Sequence, residues 1–136
     1  MPASFKFNVK LAVPKGYDPD PNIVSIARDA GASIIITRDP LEAADGADVV
    51  MTDTWVSMGQ VGSDKILADM KPYQVNDKAM ASAKDDAVFM HCLPAHAGEE
   101  ASQQVLDSVQ SIIFDQAENR LHAQKAILRW CFGLIG

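Results

Sequence analysis

Cysteine is scarce in this chain of 136 residues: only Cys92 and Cys131, far apart in sequence, so no disulfide framework is available and a reducing compartment is implied. Long apolar runs are missing. None approaches the ~20 residues that a membrane-spanning helix needs, and the opening Met1-Pro2-Ala3-Ser4-Phe5-Lys6 is too short and mixed for a secretory signal. A cytoplasmic location without membrane association is therefore expected. Basic charge is also in deficit, with 12 Lys and Arg against 18 Asp and Glu, a formal net charge of −6. That balance argues against a nucleic-acid partner, which requires a basic face to neutralise phosphates. No glycine-rich phosphate loop occurs, so nucleotide binding has only fold-level analogy behind it. His91, Cys92 and His96 match no zinc-ligand spacing and Cys131 has no paired ligand, so no metal is expected. Internal repeats, low-complexity tracts and an interdomain linker are all lacking.

What is present is the material of a single domain, since the length suits one core and 48% of residues are hydrophobic. Short β-rich runs alternate with helix-like segments. The runs predict strands at Phe7–Val13, Ser33–Thr37, Asp48–Thr52, Ala87–His91 and Ser111–Phe114. Asp20-Pro21 and Asp39-Pro40 each read as an N-cap followed by a proline at the first helical position, and Gly31 stops the first of these helices. Further helices are predicted at Ser63–Met70, Asp77–Ala83 and Ala101–Ser108, with a long one from about Asn119 to the end. Such alternation defines an α/β fold, a Rossmann-like three-layer domain with a mostly parallel sheet.

Three polar clusters each follow an apolar run, where open α/β sheets place their chemistry. Asp53-Thr54-Trp55-Val56-Ser57-Met58-Gly59 follows Asp48–Met51; His91-Cys92-Leu93-Pro94-Ala95-His96 follows Ala87–Met90; Ala117-Glu118-Asn119-Arg120 follows Ser111–Phe114. In this order they resemble the D-x-W-x-S-M-G, H-C-L-P and A-E-N-R motifs of the ornithine carbamoyltransferases, in the half that binds ornithine. Pro14-Lys15-Gly16-Tyr17, Asp39–Ala43 and Leu121–Ala126 add lesser matches, and the similarity runs from about Val9 to the end. Cys92 favours the ornithine branch, because the aspartate branch of the superfamily resembles H-P-L-P there.

The resemblance implies carbamoyl transfer from carbamoyl phosphate to L-ornithine, giving L-citrulline and phosphate without a cofactor. It implies that Asp53, Ser57 and Met58 bind ornithine. It also makes Cys92 the catalytic contact, and implies that Cys92, Leu93 and Arg120 bind carbamoyl phosphate. Each residue has a plainer reading beside this one. Asp53 at a strand end could satisfy loop amides, Cys92 could be an inert buried thiol, and Arg120 could form a surface pair with Glu118 or Asp115. A nucleophilic Cys92 would need a lowered thiol pKa and an adjacent base, His91 or His96, whereas the resemblance implies direct attack by the amine. Arg120, placed at the start of the terminal helix, would oppose the helix dipole and so not serve the helix itself. Trp55 reads as packing, His91 and His96 as structural, and His122 as a helix-face residue. Where relatives carry a basic residue after H-C-L-P-A-H, this chain has Ala97.

The family's S-x-R-T-R, H-x-x-Q and G-D-x-x-N-N strings do not occur in these residues. The expectation is therefore a partial Asp/Orn-binding domain over 1–136, with the carbamoyl-phosphate domain and the first βα unit absent. In the strand order 3-2-1-4-5-6 the first strand is central. Its loss leaves Phe7–Val13 and Asp48–Thr52 to pair directly, to take a substitute strand, or to keep unpaired backbone groups. The rival reading is a non-catalytic amino-acid-binding remnant or interaction module. The family is trimeric, but the apolar end from Leu128 to Ile135 leads us to expect self-association of another kind.

Overall fold

The computed structural model describes residues 7–56 and 63–134. In chain order the elements are β1 (Asn8–Ala12), α1 (Pro21–Asp29), β2 (Ser33–Thr37), α2 (Pro40–Ala44), β3 (Val49–Thr52) and α3 (Ser63–Met70). A 3-10 turn at Lys71–Tyr73 leads to α4 (Asp77–Ser82), β4 (Val88–His91), α5 (Gln103–Leu106) and α6 (Ile113–Cys131). The two Asp-Pro signals act as expected. Asp20 accepts from the Asn22 N–H, and Asp39 from those of Leu41 and Glu42, which satisfies amides left free in the first turn. Gly31, at φ 89°, takes the left-handed turn that ends the α1 region.

All strand pairing is parallel. β1 lies beside β2 with Lys10 opposite Ile35, and β3 beside β4 with Val50 opposite Phe89 and Thr52 opposite His91. A bridge from Phe89 to Ser111 extends the second pair outward. The two pairs remain separate sheets among the described residues. Among the described residues, of the three outcomes open from sequence, β1 and β3 take the third: neither pairs with the other, and both line one cleft, through Lys10 and Ala12 on one side and Val49 to Thr52 on the other.

The core lies on one face of the β3–β4 pair. Phe89 and His91 are fully buried there, with Val75, Ala79, Met80, Ala101, Val105 and Ile113 packed round Phe89. Burial of each large apolar side chain contributes roughly 1.5–3 kcal/mol. On the other face Val49 and Met51 stay 47% and 66% exposed, although parallel sheets are ordinarily covered on both sides.

Two elements depart from expectation. Ser111–Phe114 is not a strand: after Phe89 N–H bonds to Gln110 O and Ile112 N–H to Phe89 O, the chain turns into α6 at Ile113. Acidic Asp115 in the first turn of α6 suits that helix end. α6 therefore starts six residues ahead of Asn119, and Arg120 sits two turns inside it, beyond the reach of the N-terminal dipole that the sequence reading invoked. The predicted helix Ala101–Ser108 shrinks to Gln103–Leu106 because Ala101 bridges to Val75 and Ala97, and Ser102 caps the helix by accepting from Val105 N–H.

Candidate active site

Thr52 and His91 end neighbouring strands in register, so the residues that follow them emerge side by side. Asp53 and Cys92 meet there, with the Cys92 thiol donating to Asp53 Oδ1 at 3.0 Å. A second tie joins the same loops, from Thr54 Oγ1 to the Pro94 carbonyl at 2.9 Å. Asp53 also accepts from the Thr54 N–H at 2.7 Å. Its plainer role of holding a loop amide thus coexists with the thiol contact.

The proton in the Asp53–Cys92 pair belongs to sulfur. The hydrogen bond to Asp53, reinforced by burial, pushes the Cys92 thiol above its ordinary 9.0. The same bond holds the Asp53 carboxyl below its ordinary 3.8, against the opposing effect of burial. A nucleophilic cysteine needs the reverse shift, so the arrangement disfavours that role for Cys92. The Arg120 charge reaches Cys92 as the weakest of the influences on it, and Arg120 forms no ion pair among the described residues. The proposed surface pair with Glu118 or Asp115 is therefore not formed.

Leu93 adopts φ 55°, a left-handed conformation uncommon for a side chain of this size, and is followed by a cis bond to Pro94. Its N–H donates to His91 Nδ1 at 2.9 Å. Nδ1 is thus occupied as an acceptor, while Nε2 lies 3.3 Å from Glu100 Oε1 without making a hydrogen bond. Glu100 is fully buried, accepts from the His96 N–H, and has His96 Nδ1 3.8 Å from its other oxygen. His91 and Glu100 thus form a buried pair under the Leu93 turn, which agrees with a structural His91. Glu100 was not singled out from sequence; its signal was the i,i+4 spacing from His96 just ahead of the apolar Ala101 and Val105. His96, Glu99 and Glu100 offer ligand atoms within 4.8 Å of one another, and Glu100 Oε1 is engaged by the loop amide of His96. His122 lies on an exposed helix face near Glu118, at 3.6 Å. Trp55 is half-buried beside the cleft. Ser57 and Met58 lie outside the described residues.

Loops that meet beyond the carboxyl ends of parallel strands, with helices packed on the sheet, define a domain of the Rossmann-like α/β class. The chain belongs to the aspartate/ornithine carbamoyltransferase family, whose Asp/Orn binding domain model matches residues 1–131. It is 54% identical over 130 residues to an ornithine carbamoyltransferase of Rhizorhabdus wittichii, covering 96% of this chain and 42% of that one. Among solved structures, the ornithine carbamoyltransferase from Pyrococcus furiosus is 46% identical with a TM-score of 0.81, covering 90% of this chain and 41% of its own. The anabolic enzyme from Campylobacter jejuni is 36% identical with a TM-score of 0.88, covering 98% and 46%. The chain therefore spans less than half the length of these relatives.

Proposed function

We propose that this chain is the amine-acceptor half of an ornithine carbamoyltransferase, acting on L-ornithine and carbamoyl phosphate to give L-citrulline and phosphate, without a cofactor. The observation that carries the reading is the 3.0 Å contact between Cys92 and Asp53, which unites the D-x-W and H-C-L-P loops at one point outside the sheet. In this reaction the δ-amine of ornithine bonds to the carbamoyl carbon, the bond from that carbon to the phosphate oxygen breaks, and the amine loses a proton. In our reading Asp53 pairs with the acceptor's ammonium, Ser57 and Met58 hold its α-amino and carboxylate groups, and the Cys92 thiol touches the amine. The Leu93 carbonyl accepts from the carbamoyl NH₂, while the forked guanidinium of Arg120 binds the phosphate.

These 136 residues lack the S-x-R-T-R string that would bind the phosphate, so on their own they should form no citrulline. Product formation that is abolished by Cys92→Ala and Arg120→Ala would overturn this. Ornithine should bind the isolated chain more weakly than micromolar, about −8 kcal/mol, and calorimetry checks it. One observation favours the rival reading of a self-associating module: Trp130, Phe132 and Leu134 at the end of α6 are 68%, 76% and 65% exposed.

A further inference from the structure

The two oxygens of the fully buried Glu100 have unlike surroundings. Oε1 accepts from the His96 N–H, whereas Oε2 is buried without a hydrogen-bond partner and lies 3.8 Å from His96 Nδ1. Among the described residues no Lys or Arg pairs with this carboxylate, and the basic groups beside it are the imidazoles of His91 and His96. A buried carboxylate is costly unless it is hydrogen-bonded, paired or bound to a metal. An oxygen left over in this way therefore calls for a cation or a donor.

The loop around Glu100 supplies the rest of a cation site. His96, Glu99 and Glu100 each present one donor atom, and the three lie within 4.8 Å of one another. Bonds of about 2.0–2.2 Å round a tetrahedral ion set neighbouring donors about 3.3 Å apart. The side chains of His96 and Glu99 are not buried and have room to turn inward, while the backbone beneath them is fixed. The Gln74 amide donates to the Gly98 and Glu99 carbonyls, both at 2.8 Å. Val75 N–H donates to Glu100 O and Glu99 N–H to His96 O, both at 3.0 Å. Lys71 Nζ is held by the Gly98 carbonyl at 3.0 Å and pairs with none of these acids among the described residues. The spacing of His91, Cys92 and His96 hid the set, because the fold sends Cys92 to Asp53 and brings two later acids to His96 instead.

We propose that His96 Nδ1, Glu99 and Glu100 Oε2 bind one divalent transition-metal ion, with water completing its coordination. One imidazole nitrogen with two carboxylates suits Zn²⁺ or Co²⁺, and the nitrogen disfavours Mg²⁺, which prefers oxygen ligands. Two carboxylates balance the charge of the ion, and the exposed side of His96 gives it a way in. Its role is to clamp the loop between Pro94 and Ala101. It takes no part in the carbamoyl transfer proposed above, and the site does not rest on that reading.

The test uses the untagged chain, stripped of metal, titrated with Zn²⁺ in a calorimeter and with Co²⁺ followed by absorption spectroscopy. His96→Ala and Glu99→Gln should each weaken Zn²⁺ binding at least about tenfold, the least that losing even an outer partner of a metal ligand costs. Both side chains lie outside the core, so the metal-free variants should keep the parent's circular dichroism. Two other places attract such ions, the Cys92–Asp53 pair and His122 beside Glu118. Cys92→Ser and His122→Ala should therefore change the affinity by less than about twofold, as for independent sites, and the Co²⁺ spectrum should show no thiolate charge-transfer band. Absence of binding, binding undiminished in His96→Ala and Glu99→Gln, binding lost in Cys92→Ser or His122→Ala, or equal competition by Mg²⁺ would each overturn the proposal.

Discussion

Replacing Asp53 by Asn should make Cys92 more reactive, in a Cys131→Ser background that removes the exposed second thiol. The thiol donates to a carboxylate at 3.0 Å, and a hydrogen bond to a charged group contributes about 1.5–3 kcal/mol. Asp53 is exposed, and solvent screening reduces this to about 1 kcal/mol. Removing the charge then raises the thiolate fraction at neutral pH about fivefold. A less basic thiolate is also a poorer nucleophile, which takes back roughly half of that gain on a logarithmic scale. The net expectation is a two- to threefold faster alkylation by iodoacetamide, about the size of change the screened bond allows. A rate that is unchanged or lower in Asp53→Asn would show that Asp53 does not hold the proton on sulfur, and the substrate-contact role for Cys92 would lose its support.

The pair beneath Leu93 makes a second expectation. Glu100→Ala removes the buried acceptor of the His96 N–H and the oxygen 3.3 Å from His91 Nε2 and should cost about 1–3 kcal/mol in urea denaturation, with Glu100→Gln costing less; a loss below about 0.5 kcal/mol would contradict a supporting role for Glu100. Stability should also fall in acid. Asp18 is held below its ordinary 3.8 by the Arg38 hydrogen bond, Asp53 by Cys92, and Asp69 by Lys65, so in the fold these groups take up protons at lower pH than in the unfolded chain. Their contribution is complete above about pH 4 and lost as pH drops through the folded values, so the urea midpoint should hold to about pH 5 and decline below 4; a midpoint that rises in acid would refute the assignment. Finally, the bare end of α6 should drive self-association, weakened by Trp130→Lys and Phe132→Lys. Sedimentation of a clean monomer at high concentration would refute that, and a monodisperse trimer would refute the view that the association differs from the family's.

Local chemistry decided which features could be read from the residues alone. Asp20-Pro21 and Asp39-Pro40 encode both cap and first turn, and Ser33–Thr37 and Ser63–Met70 emerged with the bounds expected of them. Ser111–Phe114 misled because a β-branched run has the same composition whether or not a neighbour extends the ladder. Here only Phe89 offers bonds, and after Ile112 nothing continues them, so Phe114 ends 75% exposed on a helix. Glu100 was hidden for a related reason. The i,i+4 spacing from His96 is a weak local signal, and which acid of the pair Glu99 and Glu100 is buried against His91, nine positions away, is decided by the fold. How β1 and β3 would respond to a missing neighbour was equally open, since strand pairing is decided by long-range contacts.

The contact between Asp53 and Cys92 depends on the β3–β4 register and not on the cleft. Thr52 lies opposite His91, so the next residue of each strand is brought within hydrogen-bonding distance by a ladder that is complete without β1. A slip of one residue would turn Phe89 and His91 to the opposite face and away from Glu100, and the buried pair therefore also guards the register of the site. The reactivity of Cys92 should report the Asp53 hydrogen bond with the cleft empty or filled, because both residues ride on one strand pair. If filling the cleft changed Cys92 alkylation by the two- to threefold expected of Asp53→Asn, the strand pair would not be the independent platform that its register implies.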